Sequence, residues 1–281
     1  MSYKIIGDSC LDLTYSLKHD PHFQMIPLTL QVDDVLVTDD ESFDQKKFLE
    51  MVKASPECPK TACPSPERFM EAYHCDEEYI FVVTLSKHLS GTYNSAVLAK
   101  ELYKETYGEK KIAIIDSLSA SSGELSIALA IDHWCKEGLD FDTIVEKANR
   151  YRDHMKTYFV LETLDILRKN GRLTGLQAFF ATTLNIKPVM GAEQGIIVKL
   201  NQARGIQMAL NRMCDIALKD VEQTEEKRVV IAHCNCPERA KLVKEELSKR
   251  KKFKEIVITE TAGVATVYAS DGGIVLAIQG D

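Results

Sequence analysis

Two hydroxyls, Ser90 and Thr92, flank Gly91 in the string Lys87-His-Leu-Ser-Gly-Thr-Tyr-Asn-Ser-Ala96. Such residues at a helix start offer hydroxyls and unpaired backbone N–H groups to an anion. They also make an ordinary N-cap, and residue type alone leaves both readings open. A serine nucleophile fits less well, because hydrolase elbows need Gly-x-Ser-x-Gly and Ser90 follows Lys87-His88-Leu89. His88, two residues away, is too local to serve as a triad base without further geometry. Thr61 is a second candidate, in Thr61-Ala-Cys-Pro-Ser-Pro66. Pro64 holds Cys63 extended and Pro66 fixes a helix start, so the loop either aims a hydroxyl or is a proline-rich connector.

Asn170-Gly171-Arg172 puts a cation just past a glycine helix end, a pattern equally suited to a plain C-cap. Asp8 and Asp116 each end an apolar run and precede a serine. Carboxylates placed there can hold a metal at a sheet's carboxyl edge or cap the next helix. No Walker loop or Gly-x-Gly-x-x-Gly is present, and Gly191 to Gly195 fits a turn. Cys234 and Cys236 are separated by one residue where zinc knuckles have two or more, and Cys58, Cys63 and Cys75 are unevenly spaced. No metal or other cofactor is therefore expected.

The elements that must position these residues begin with apolar strands at Tyr3–Gly7, Met25–Val32, Tyr79–Leu85 and Lys111–Asp116. Ser42 and Gln45 fit a capping box for a helix through about Ala54, and Ser65 with Pro66 opens another. Helices are expected from Ser90, around Leu125 to Trp134, and from Thr143 to about Met155. Alternating strands and helices imply a parallel sheet covered on both faces. The pattern then changes. Strands are expected at Thr157–Glu162 and Arg228–His233, at Glu255–Glu260 and toward Gln279, with a hairpin at Ile186–Met190 and Ile196–Leu200. Helices are expected over Thr174–Leu184, Ala203–Val221 and Pro237–Arg250, and a short one ends at Lys169–Arg172. The fold class is α/β with two closely packed domains. Residues 1–155 form a three-layer α/β/α parallel sheet, and residues 156–281 an α+β domain with a mixed sheet.

A 281-residue chain buries roughly three quarters of its unfolded surface, so disulfides are not required. The net charge of −7 and the scattered basic residues argue against a nucleic-acid partner. The N-terminal residues lack a signal-peptide pattern, and no run reaches the roughly 18 apolar residues of a spanning helix. A soluble, cytoplasmic protein with reduced cysteines and no stable membrane insertion is expected.

The ordered set of motifs resembles the DegV family of bacterial fatty-acid-binding proteins. It runs from Asp8-Ser9 through Pro27-Leu28, Thr61-Ala-Cys-Pro-Ser65, Leu89-Ser-Gly-Thr-Tyr93 and Ile115-Asp-Ser117. Gly171-Arg172, Ile186-Lys-Pro188 and Gln202-Ala-Arg204 follow in order. The resemblance implies a long-chain fatty acid in a tunnel between the two domains, its carboxylate held at the positions of Thr61 and Ser90. It further implies assistance from Arg204 and from a C-terminal histidine, which Tyr268 replaces here. Ala62-Cys63 likewise stands where the family has Ser-Gln. Arg172 matches the position implied to meet a separate fatty acid kinase, which would make this chain a carrier and not an enzyme. Phe179, Phe180, Leu184 and Ile186 are candidates for the tunnel lining or for plain core. The alternative is a dihydroxyacetone-kinase-like phosphotransferase of related architecture, which needs a substrate-holding histidine among His88, His133 and His233.

Overall fold

The structure, a computed structural model, describes residues 2–173, 185–219 and 221–280. The expected helix over Thr174–Leu184, with Phe179, Phe180 and Leu184, lies outside the described residues.

The chain opens with β1 (Tyr3–Asp8), a 3-10 turn (Ser9–Leu11), one helical turn α1 (Tyr15–Lys18) and β2 (Phe23–Ile26). Met25 to Val32 does not form one strand. Proline has no N–H for a ladder, and the chain breaks at Pro27 and resumes as β3 (Thr29–Val32) in another sheet. There β3 lies antiparallel to β4 (Val35–Thr38) and to β5 (Lys60–Ala62). The passage from Cys58 to Pro66, read as irregular, thus supplies an edge strand centred on Thr61.

Helix α2 (Gln45–Ala54) is capped by Asp44, which accepts from Lys47 N at 3.1 Å, and not by Ser42. Ser42 instead donates to Asp40 at 2.6 Å. Next come α3 (Pro66–Tyr73), β6 (Tyr79–Thr84), α4 (Thr92–Tyr107) and β7 (Lys111–Asp116). Helix α5 (Ser122–Lys136) opens on a capping box of Ser121 and Glu124, and α6 (Phe141–His154) on Asp140.

The first sheet has order β2-β1-β6-β7 and is parallel throughout. Alternate side chains of β6 face opposite layers, as the two-residue period requires. Ile80 and Val82 pack with α3 and α4, whereas Phe81 and Val83 pack with α5 and α6.

The chain enters the second sheet at β8 (Met155–Val160), followed by α7 (Asp165–Lys169), β9 (Ile186–Glu193), β10 (Ile196–Arg204) and α8 (Ile206–Leu218). Then come β11 (Arg228–His233), α9 (Pro237–Arg250), β12 (Glu255–Glu260), α10 (Gly263–Ala269) and β13 (Ile274–Gln279). This six-stranded sheet has order β10-β9-β8-β13-β11-β12 and is mixed: β11 and β12 run parallel and the other pairs antiparallel. Its outer face packs on α8 and α9. Its inner face reaches α5, so Phe81 of the first sheet and Val230 and Ala277 of the second share one core. A helix clamped between two sheets is buried all round, which is why α5 carries apolar or small residues on nearly every side. The α/β class, with one parallel and one mixed sheet, is as the sequence implies.

Candidate functional site: an apolar cavity with a hydroxyl and cation end

The carboxyl ends of β1, β6 and β7 are bound to one another by the two aspartates singled out above. Asp8 accepts from Cys10 N at 3.0 Å and from Leu85 N at 2.8 Å. Asp116 accepts from Leu118 N at 3.1 Å and from Lys87 N at 3.2 Å. Asp8 caps the 3-10 turn, whereas Asp116 caps no helix, α5 being capped by Ser121, and closes a turn at Leu118 instead; each ties its own turn to the turn after β6. Among the described residues no group of three or more His, Cys, Asp or Glu is placed to hold a metal ion.

Fixed in this way, the turn from Leu85 to Gly91 presents Ser90 half-buried, its N–H bonded to Ser86 O at 3.1 Å. Helix α4 starts at Thr92 with Gly91 as N-cap, so Ser90 stands one residue before the cap. Its Oγ shares a hydrogen bond with Thr92 Oγ1 at 2.8 Å and accepts from Thr92 N at 3.3 Å. A Cβ on Gly91 would stand 3.1 Å from Cys63 Sγ, so the glycine lets the segment after β5 press against the start of α4.

Thr61 pairs with Leu30 in the small sheet, and its Oγ1 shares a 2.9 Å hydrogen bond with the hydroxyl of Tyr268. Tyr268 rides on α10, an element absent from the sequence expectations. The N-terminus of α10 is held by Asp39, which accepts from Gly263 N at 2.6 Å and Val264 N at 2.7 Å, and by Asp12, which accepts from Ala262 N at 2.6 Å. Arg172 places its guanidinium 5.8 Å from the Tyr268 ring centroid and donates through Nε to Leu89 O at 3.3 Å. Gly171, at φ 73°, turns the chain so that the arginine folds inward, and Asn170 pins that turn to Pro59 O at 2.8 Å.

Thr61, Ser90, Arg172 and Tyr268 therefore meet at one cavity, whose empty space is about 850 Å³ including its open mouth. Its walls are otherwise mainly apolar, with Leu85, Leu89, Phe159, Leu161 and Ile197 prominent. The cavity sits beyond the carboxyl ends of the parallel strands, where open α/β sheets place ligands, and is closed by the inner face of β8, β10 and β13. On β8 the period of two decides the lining: Thr157 and Phe159 face the cavity, while Tyr158 and Val160 face α8 and α9. Such a space suits a ligand with a long apolar body and one anionic or strongly polar end.

Arg204 is not part of this group. Ala203 and Arg204 do not begin a helix: β10 runs on through Arg204, paired with Ile186, and α8 starts only after Gly205 at φ 81°. Arg204 is consequently exposed at a strand end and does not line the cavity, and neither does Ile186. Arg172, expected at a partner surface, is the residue that supplies a guanidinium to the cavity. None of His88, His133 and His233 lines it. Burial holds His233 below the usual histidine range, and His133 is an exposed partner of Glu137.

The functional residues missed by sequence reasoning are acids that join Asp8: Asp12, Asp39 and Glu124. Asp12, with φ 50°, also accepts from Ser121 Oγ at 2.5 Å, while its carbonyl accepts from Thr259 Oγ1 at 2.7 Å. Burial pushes Asp8 up to about 7, Asp12 to about 8 and Asp39 to about 6. Glu124 is held well above the usual carboxylate range by burial, with the Asp8 and Asp12 charges adding to it. The capping pattern of Ser121 and Glu124 was the one readable signal in this cluster.

The family model for DegV proteins matches residues 2–279. A DegV domain-containing protein of Streptococcus pneumoniae is 34% identical over 287 residues, covering 100% of each chain. A DegV-family protein of Ruminococcus gnavus, solved with vaccenic acid, is 50% identical with a TM-score of 0.96 over 99% of each chain. The Streptococcus pneumoniae fatty acid kinase B3 protein, loaded with linoleic acid, is 33% identical with a TM-score of 0.91 over 100% of each chain. With motifs, topology and sequence agreeing from one end to the other, the chain belongs to the DegV family.

Proposed function

We propose that the protein binds one long-chain fatty acid in this cavity and presents it to a separate fatty acid kinase, acting as a cytoplasmic carrier that needs no cofactor of its own. The observation that carries the proposal is an apolar cavity ending in the Thr61–Tyr268 hydroxyl pair, Ser90 and Arg172. Relatives solved with vaccenic and linoleic acid support it. On this reading the acyl chain lies between the halves formed by residues 1–155 and 156–281. Thr61 and Ser90 hold the carboxylate, Tyr268 orients Thr61, and Arg172 adds charge while bordering the surface the kinase would meet.

The tail supplies most of the affinity. A sixteen-carbon acid buries about 14 methylenes, of order 11 kcal/mol gross at about 0.8 each. Ordering the chain and losing its free translation cancel a large part of that. The head group sets orientation, since a carboxylate left buried and unpaired is heavily penalised. A phosphotransferase reading would need a histidine at the cavity, and none of the three considered lines it.

Lipid extraction of the protein purified from bacteria, followed by mass spectrometry, is expected to recover fatty acid at about one molecule per chain. Recovery of only trace acid, or turnover of ATP with a small triose by the isolated chain, would overturn the proposal.

A further inference from the structure

Lys187, at the centre of the Ile186-Lys-Pro188 motif, does not line the cavity. Its Nζ donates to Glu162 O at 2.8 Å and pairs with Glu162 Oε2 at 2.6 Å. The other carboxylate oxygen of Glu162 accepts from Arg239 Nη2 at 2.6 Å, and Nη1 of the same guanidinium donates to Gly272 O at 2.6 Å. Four segments thus converge on Glu162: the chain leaving β8, the start of β9, the first turn of α9 and the turn from α10 into β13. Only glycine fits at the last of these. Gly272 has φ 88°, and a Cβ there would collide with Arg239 Nη1 and stand 3.3 Å from Glu162 Cγ. The three charged side chains are 18% to 34% exposed, so solvent and salt screen their pairing less than they would at the open surface.

This junction lies at the roots of the two elements that bring Arg172 and Tyr268 to the cavity. Glu162 leads into α7, whose start is closed by Thr163 Oγ1 accepting from Asp165 N at 3.1 Å. Its end is a Schellman motif, with Arg172 N donating to Leu167 O at 2.8 Å and Gly171 N to Arg168 O at 3.0 Å. A single turn closed at both ends passes any tilt at Glu162 on to the Arg172 guanidinium. Gly272 stands just past α10, which carries Tyr268. Its N–H donates to Cys234 O at 2.9 Å, which sets the turn against the end of β11, while Arg239 adds the tie across to Glu162.

We infer, on the fatty-acid reading above, that Glu162, Lys187 and Arg239 are positioning residues: they hold α7 and α10 in register, so that Arg172 and Tyr268 meet the carboxylate together. None of the three lines the cavity, so each acts through those two side chains. Their effect is selective for the head group. Hydrogen bonds weaken steeply as distance and angle depart from the optimum, whereas burial of an acyl tail is non-directional. A small tilt of α7 against α10 therefore weakens the grip on the carboxylate and leaves the tail's contribution in place. Arg239→Lys keeps the charge but replaces the planar fork with one nitrogen, which cannot reproduce the bridge between Glu162 and Gly272 O.

The test compares delipidated wild-type, Arg239→Lys and Glu162→Gln proteins in competition binding with hexadecanoate and hexadecanol, which share a tail and differ in the head group. Arg228→Lys is the control, since it alters an ion pair with Glu255 at 2.8 Å between β11 and β12, away from α7 and α10. The preference for acid over alcohol should fall about fivefold in Arg239→Lys and Glu162→Gln, the scale of coupling within one hydrogen-bonded network. Hexadecanol affinity should stay within about twofold, because the apolar walls are untouched. The control should keep the wild-type preference. If Glu162→Gln does not fold, Arg239→Lys decides alone. An unchanged preference in Arg239→Lys, equal losses for acid and alcohol, or the same fall in Arg228→Lys would overturn the positioning role. A wild-type protein that binds no hexadecanoate, or binds it no better than the alcohol, would overturn the fatty-acid reading itself.

Discussion

At the scale of single residues, the proposed head-group end is built on hydroxyls that already have partners. Thr61 shares its bond with Tyr268 and Ser90 with Thr92, so each hydroxyl is oriented before a ligand arrives. A preset donor gives up less rotational freedom on binding. A hydrogen bond to a charged group is worth about 1.5–3 kcal/mol, and about 1.4 kcal/mol is a factor of ten. The double substitution Thr61→Ala with Ser90→Ala is therefore expected to weaken fatty acid binding at least about tenfold, with the melting temperature little changed. Displacement of a fluorescent acid reads the affinity, and a value equal to wild type would move the carboxylate elsewhere. Both residues were visible in the sequence because each follows an apolar strand or stands in a proline-constrained loop. The inward turn of Arg172 was not, since it depends on the positive φ of Gly171 and on Asn170 reaching Pro59.

At the scale of elements, a strand that outlasts its expected end leaves Arg204 off the cavity wall. The apolar pattern of α8 is readable but puts the helix start at Ala203, because nothing before Gly205 marks the limit of β10. Register then leaves Arg204 on an edge strand, exposed and away from the cavity. Arg204→Ala is accordingly expected to leave fatty acid affinity within about twofold of wild type, as surface substitutions do, whereas Arg172→Ala weakens it. Equal losses in both variants, measured by isothermal titration, would show that Arg204 reaches the ligand after all. The strands β1, β6, β7, β11 and β12 were legible for a simple reason: short β-branched runs bounded by turn residues read the same way in any context. Strand β5 and helix α10 were not, because each is short and forms only where distant elements provide its partners, and β4 was not because it is a short, mostly exposed hairpin partner of β3.

At the scale of the whole molecule, the two sheets and α10 are joined by buried acids far apart in sequence. Asp12 follows the first strand, yet it accepts from Ala262 and Ser121; Asp39 fastens α10 beside it, and Asp8 and Glu124 complete the cluster. A contact spanning some 250 residues leaves no periodic trace in the sequence, so this junction could be found only in three dimensions. Its electrostatics carry a signed prediction. Burial raises Asp8, Asp12 and Asp39 to about 7, 8 and 6 from a usual value of 3.8. Between about pH 4 and 8 the folded protein therefore binds more protons at these groups than the unfolded chain does. Their contribution to stability is complete below the unfolded value and is lost as pH rises through the folded values. His233, lowered by burial, acts in the opposite sense below its usual range, so the total curve mixes both effects. A substitution separates them. Asparagine tolerates the positive φ at position 12 and can still accept from Ala262 N and contact Ser121 Oγ, but it does not titrate. The stability of wild type relative to Asp12→Asn, from urea unfolding at a series of pH values, should fall steadily from about pH 4 to about pH 8. A difference that stays flat, or that rises, would mean that Asp12 is ionised in the folded protein and that the junction is held by charge instead of by a protonated carboxyl.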